Sequence, residues 1–164
     1  PSRALAEENT TVGIDQRHDG CATGRVDCRD QKLAGDIAMQ HTELGASDTV
    51  TVDHAGAGFI VVGAALDTLP TLTGRFDFVF IDADKENNSA YVDWAIRLSR
   101  PGTVIVVDNV VRDGRIVAPL SGDHQARAVR DMLEMMGRHP ELDTAAIQTV
   151  GIKGWDGFAL ALVR

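Results

Sequence analysis

Five residues of this 164-residue chain, Asp82, Asp84, Lys85, Asp108 and Asn109, have types and spacings that could do chemistry. They stand at the ends of two apolar runs, Phe76-Asp-Phe-Val-Phe-Ile-Asp-Ala-Asp-Lys85 and Thr103-Val-Ile-Val-Val-Asp-Asn109. Two carboxylates and one amide oxygen, from Asp82, Asp108 and Asn109, make a hard oxygen set. Such a set suits Mg²⁺ first, then Ca²⁺ or Mn²⁺, rather than zinc or copper. An octahedral ion held this way keeps positions for water or for substrate oxygens such as two vicinal hydroxyls, and so acts as template and Lewis acid. Lys85 follows Asp82 by three residues, so a turn brings its amine back towards the ion. A nearby dication disfavours an ammonium, which makes Lys85 a candidate general base for an acidified hydroxyl. Asp84 opposes that effect and is expected on the other side of the crevice, against a cofactor.

These residues need elements that aim them at one place. Each apolar run has strand length, and Tyr91, Trp94, Ala95 and Leu98 recur at helical spacing in the stretch between Asn88 and Gly102. The unit reads as strand, helix, strand. Strands buried on both faces are normally parallel and joined by a right-handed crossover, so both polar tips face one edge. In open α/β sheets ligands bind at that carboxyl edge. Either tip alone is better explained by strand termination and helix capping, and Asp82, Asp84 and Glu86 would complement the dipole of the following helix. Two such tips on adjacent strands favour the site.

The composition, 44% hydrophobic and 24% charged, is that of a globular chain able to bury one core, and one domain over residues 1–164 is expected. A net charge of -8 without a Lys/Arg stripe argues against nucleic acid or an anionic membrane and for a small molecule or another protein, with a small-molecule substrate taken first. Cys21 and Cys28 form neither a disulfide framework nor a metal motif, no apolar stretch has spanning length, and a cytoplasmic location is expected. The start, Pro1-Ser-Arg-Ala-Leu-Ala, lacks an initiator Met, and the natural N-terminus is expected to lie further upstream.

Along the chain, Thr10 to Ile14 reads as a short strand and Lys32 to Leu44 carries a moderate helical pattern through Leu33, Ile37 and Leu44. Thr49 to Val52 and Phe59 to Val62 read as strands, with the glycine-rich His54 to Phe59 as a turn rather than a dinucleotide fingerprint. A short helix to Leu69 breaks at Pro70. A helix is expected from about Asp123 to Gly137, then strands Ala145 to Val150 and Phe158 to Val163, antiparallel about the loop Gly151 to Gly157. The five histidines form no zinc pattern.

Three segments, Phe76-Asp-x-Val-Phe-Ile-Asp-Ala-Asp-Lys-Glu-Asn, Arg100-Pro-Gly-Thr-Val-Ile-Val-Val-Asp-Asn-Val and Lys153-Gly-Trp-Asp-Gly-Phe-Ala-Leu-Ala, resemble the cation-dependent, S-adenosylmethionine-dependent O-methyltransferases. This group contains the caffeoyl-CoA and catechol O-methyltransferases, and the likeness is to its bacterial branch. It runs from about Val62 to Arg164, leaving residues 1–61 atypical. It implies an α/β, Rossmann-like class I methyltransferase fold: a mostly parallel, doubly wound sheet with a C-terminal antiparallel hairpin. It further implies Asp82, Asp108 and Asn109 as metal ligands, Lys85 as base, and Gly63, Ala65 and Asp84 as contacts of S-adenosylmethionine. A methyl group would pass in line from the sulfonium to a small catechol-like or vicinal-diol aromatic, without a covalent enzyme intermediate. A homodimer is also implied.

The N-terminal third departs from this pattern. The family's Glu-x-Gly-Thr-x-x-Gly-Tyr-Ser-like loop for the methionine part of the cofactor has no match here; Val12 to Ala22 is its nearest counterpart, and Asp27 and Asp30 are alternatives for the ribose. Asp53 to Ile60 has the look of an insertion. Two readings therefore stand: an O-methyltransferase, or an impaired relative that keeps the divalent ion and serves as a binding or interaction module. A receiver-like or nucleotide-binding protein with acidic strand tips is a third, opposed by the closing Gly-Trp-Asp-Gly hairpin.

Overall fold

The apolar run ahead of Asp82 is a strand, β4 (Phe76–Asp82), and the run ahead of Asn109 is β5 (Ser99–Asp108). The two are parallel neighbours joined by a helix, α2 (Asn88–Arg97), as the sequence pattern predicts. The helix stops short of Gly102. Ser99 already donates its hydroxyl to the Ala95 carbonyl at 2.6 Å, and Thr103 accepts from the Arg100 amide at 3.0 Å while donating to the Phe76 carbonyl. These bonds draw Arg100-Pro-Gly into the strand.

The computed structural model describes residues 35–41, 48–54, 57–152 and 154–164. Within them the remaining elements are β1 (Gly35–His41), β2 (Asp48–His54), β3 (Ala57–Val62), α1 (Ala65–Thr68), α3 (His124–Arg138), β6 (Leu142–Gly151) and β7 (Gly154–Val163). The seven strands form one sheet in the order β3-β2-β1-β4-β5-β7-β6. This is an α/β architecture with a C-terminal antiparallel hairpin. Its parallel part is the centre, β1, β4 and β5, whereas β1·β2, β2·β3, β5·β7 and β6·β7 are antiparallel. The outer half on the β3 side is hairpin-linked rather than doubly wound.

The stretch Lys32 to Leu44 contains no helix over its described residues. Ile37 and Met39, both essentially unexposed, alternate along β1 with period two, which the i,i+4 spacing of Leu33 and Ile37 obscured. Of the stretch Asp53 to Ile60, expected as an insertion, the described residues lie in the paired strands β2 and β3. The hairpin turn between β6 and β7 is also tighter than the expected loop from Gly151 to Gly157, since Gly151 pairs with Gly154 and Val150 with Trp155. The expected strand at Thr10 to Ile14, the loop counterpart Val12 to Ala22 and both ribose candidates, Asp27 and Asp30, lie outside the described residues.

One face of the sheet carries the core. Val79 and Ile81 stand in register with Ile105 and Val107, and with Tyr91, Val92 and Ala95 of α2 and Val129, Met132 and Met136 of α3 they form a continuous buried layer. Burying each of these large side chains contributes about 1.5–3 kcal/mol. The expected burial of both faces does not hold. Phe78, Leu160 and Leu162, on the opposite face, are 36%, 37% and 45% exposed, and the two leucines line a groove with Val104 and Ala145. Among the described residues α2 and α3 pack on the core face, and the antiparallel pairing of β1, β2 and β3 supplies no helix for the other.

Helix α3 starts where the sequence places it. Asp123 caps it, accepting from the Ala126 amide at 2.9 Å, and this bond, with the Arg115 guanidinium beside it, holds the Asp123 carboxyl below its ordinary range. Among the described residues no helix is long and apolar enough to cross a membrane.

Candidate metal and cofactor site at the strand tips

Ile81 pairs with Val107 across the parallel ladder, so the next residues, Asp82 and Asp108, stand side by side where the two strands end. The chain then turns sharply in both places. After β5 it does so through Asn109, whose φ of 59° is left-handed, a conformation asparagine tolerates better than most residues. The Asp108 carboxylate supports the turn, accepting from the Asn109 amide at 2.8 Å. Asp82, Asp108 and Asn109 are all half-buried, accessible yet held by the strand ends.

After β4 the chain enters a single 3-10 turn, Lys85–Asn87, which folds Lys85 back over the tips. Its amine donates to Asp82 Oδ1 at 3.0 Å and to the Asp108 carbonyl at 3.2 Å. Lys85 is only 8% exposed, an unusual burial for lysine that requires partners. One amine thus touches both strand ends. Asp84 caps the same turn, accepting from the Asn87 amide at 3.1 Å with one oxygen and from the Tyr91 hydroxyl with the other. The capping expected as an alternative for Asp84 is therefore present, and it locks the carboxylate at the crevice margin.

Gly63 and Ala65 follow β3. Because β3 is antiparallel to β2, β2 to β1, and β1 parallel to β4, the end of β3 reaches the same edge as Asp82, three strands along. Gly63 has a φ of 155°, and a Cβ there would meet nothing within 4 Å, so its α-carbon faces open space. Ala65 begins α1 and is fully buried.

The donor chemistry fits a divalent cation. Asp82 and Asp108 each have one carboxylate oxygen hydrogen-bonded in the contacts above and the other without a hydrogen bond among the described residues. The Asn109 side-chain amide likewise has none. Two adjacent carboxylates opposed by a single ammonium leave uncompensated negative charge at a half-open site. Among the described residues no group of three or more His, Cys, Asp or Glu side chains is placed to hold a metal, so a cation at these tips would need an oxygen from another residue type, as the Asn109 amide offers.

A family model for O-methyltransferases matches residues 29–163. The chain belongs to that family. The match begins well before Val62 and so takes in β1, β2 and β3 as well as the strand tips. Over 126 residues the chain is 62% identical to a catechol O-methyltransferase of Mycobacterium tuberculosis, a stretch covering 76% of this chain and 57% of that protein. A cofactor-bound crystal structure from MTB superposes with a TM-score of 0.61 at 71% identity, covering 63% of this chain and 48% of that one. An O-methyltransferase from Bacillus cereus in complex with SAH gives 0.60 at 48% identity, covering 62% and 48%. The chain spans about half the length of the relatives it matches.

Within this member of the family the structure brings Lys85 against Asp82 and the Asp108 carbonyl, places Asn109 next after Asp108 at the same strand end, and leaves Gly63 and Ala65 further along the same edge. It also shows a residue the sequence pattern did not single out. Asp156, in Gly-Trp-Asp-Gly, accepts through one oxygen from the amides of Val111, Arg112 and Gly157 at 3.0, 2.9 and 2.9 Å. The only sequence signal was the motif itself, read as a hairpin loop. Trp155 of the same motif is 41% exposed and packs against Gly114, where a Cβ would lie 2.6 Å from its ring.

Proposed function

We propose that this chain transfers a methyl group from S-adenosylmethionine to a hydroxyl of a small catechol-like aromatic, with a divalent cation, Mg²⁺ first, at Asp82, Asp108 and Asn109. The observation that carries the reading is the contact of the buried Lys85 amine with both Asp82 and the Asp108 carbonyl. It puts a buried amine beside the strand ends that carry the hard oxygen groups, which supports the reading of Lys85 as base. The catechol O-methyltransferase relative and the SAH-bound and cofactor-bound structures support the substrate and donor classes.

When bound, the cation would polarise the acceptor hydroxyl and hold its vicinal neighbour as a Lewis acid and template. The chain's own residues do the remainder. Lys85, as the neutral amine, would take the proton from the accepting hydroxyl and become the ammonium that Asp82 and the Asp108 carbonyl hold, and its burial keeps competing water away. Asp84, fixed by Asn87 and Tyr91, and Gly63 and Ala65 beyond β3 line the edge along which the methyl donor would lie. Val117 and Leu120, 77% and 79% exposed in the segment after Asn109, offer apolar surface for an aromatic ring. No covalent intermediate is needed, so rate comes from positioning and charge.

A second reading, an impaired relative that binds the ion and acts as an interaction module, draws on the absent glycine loop. Calorimetric titration of S-adenosylmethionine, with and without Mg²⁺, separates the two. Saturable binding is expected. No heat from S-adenosylmethionine, with Mg²⁺ still bound, would leave the second reading standing and end the first.

A further inference from the structure

The turn at Asn109 opens a segment that is awkward for its residues to adopt. Asn109, Arg112 and Asp113 all have left-handed φ values, 59°, 52° and 55°; asparagine and aspartate tolerate this better than most residues, but Arg112 does not, and three such residues within five positions are costly together. Something outside the segment must hold it. The ladder between β5 and β7 ends at Asp108, opposite Phe158, and one more backbone bond, from the Val110 amide to the Gly157 carbonyl at 3.0 Å, extends it. Beyond that point a side chain takes over. Asp156 Oδ1 receives the next two amides, Val111 and Arg112, together with that of Gly157.

The fit is reciprocal and close. Asp113 Oδ1 lies 3.4 Å from the Trp155 amide, which donates to it, so each segment gives a carboxylate to the other's backbone. A Cβ on Gly157 would come within 2.2 Å of the Ile147 carbonyl and 2.7 Å of Val111 Cγ2. Only glycine lets β7 approach closely enough for the preceding aspartate to reach those amides.

We infer that Asp156 is a positioning residue for the metal site: its carboxylate fixes the left-handed turn and thereby aims the Asn109 amide beside Asp82 and Asp108. This rests on the metal-site reading above and deepens it. Asp156 itself stays behind the turn. Residues that orient metal ligands from the next layer typically change metal affinity about 10–100-fold when removed.

Two measurements test the assignment. In the wild-type protein, hydrogen exchange should show the Val111, Arg112 and Gly157 amides protected like ladder amides; exchange at the rate of open loop amides overturns the clamp. Mn²⁺ binding, followed by electron paramagnetic resonance, should weaken at least about tenfold in Asp156→Ala, with protection at Val111 and Arg112 lost. Asp156→Asn keeps an oxygen acceptor and should restore both to within about threefold. Should the Ala variant fail to fold, the wild-type exchange and the Asn variant decide. Loss of thermal stability in Asp156→Ala with unchanged Mn²⁺ affinity would reduce Asp156 to a structural residue. If the wild type binds no Mn²⁺ although the amides are protected, the metal reading fails, and the role assigned to Asp156 goes with it while the clamp stands.

Discussion

Lys85→Ala is expected to slow methyl transfer by about 10²–10⁴-fold, the usual contribution of a positioned general base. The amine lies 3.0 Å from Asp82 Oδ1 and 3.2 Å from the Asp108 carbonyl, so no other described basic side chain is placed to replace it. Its removal also takes away the one positive charge between two neighbouring carboxylates. That change alone should leave Mn²⁺ affinity equal or greater, because a dication then meets less competition. A fall in rate without a fall in metal affinity therefore separates a base from a strut. Lys85→Arg sharpens the test: a guanidinium restores the charge but does not give up its proton at any ordinary pH, so the rate should stay low. Transfer rates within a fewfold of wild type in either variant would remove Lys85 from the chemistry.

Asp108→Asn should have an effect of similar size by another route. The substitution keeps an oxygen that accepts from the Asn109 amide, now bonded at 2.8 Å, so the turn and the strand end are preserved. What it removes is half the formal carboxylate charge of the donor set. Mn²⁺ affinity should fall by at least about 100-fold, beyond what residues behind the ligands usually contribute, and methyl transfer should fall with it. Circular dichroism should be unchanged. Undiminished Mn²⁺ binding in Asp108→Asn would place the ion elsewhere, and the paired strand tips would then be caps.

The strand tips were legible because their chemistry is local. Phe76 to Lys85 and Thr103 to Asn109 each change from apolar to acidic within a few residues, and the helical spacing of Tyr91, Trp94 and Ala95 states how the strands are connected. Residues far apart decided what was not legible. The strand β1 is recognisable only through its pairing with β4, since its two buried positions, Ile37 and Met39, are too few to override a nearby helical spacing. A similar limit applies to the sheet's second face. Phe78 and Phe80 look like core residues in the sequence, and only the hairpin connection of β1, β2 and β3 reveals that no crossover helix among the described residues comes to cover them. Asp156 is the sharpest case, because its partners are amides 44 and 45 positions away and carry no side-chain signature at all.

Radiolabelled S-adenosylmethionine incubated with catechol, with Mg²⁺ or with a chelator, measures the central claim most directly. Label should appear on a catechol hydroxyl in the presence of Mg²⁺ and vanish when the ion is removed. Transfer that persists unchanged in the chelator would contradict the role given to Asp82, Asp108 and Asn109, and no transfer under either condition would contradict the activity itself.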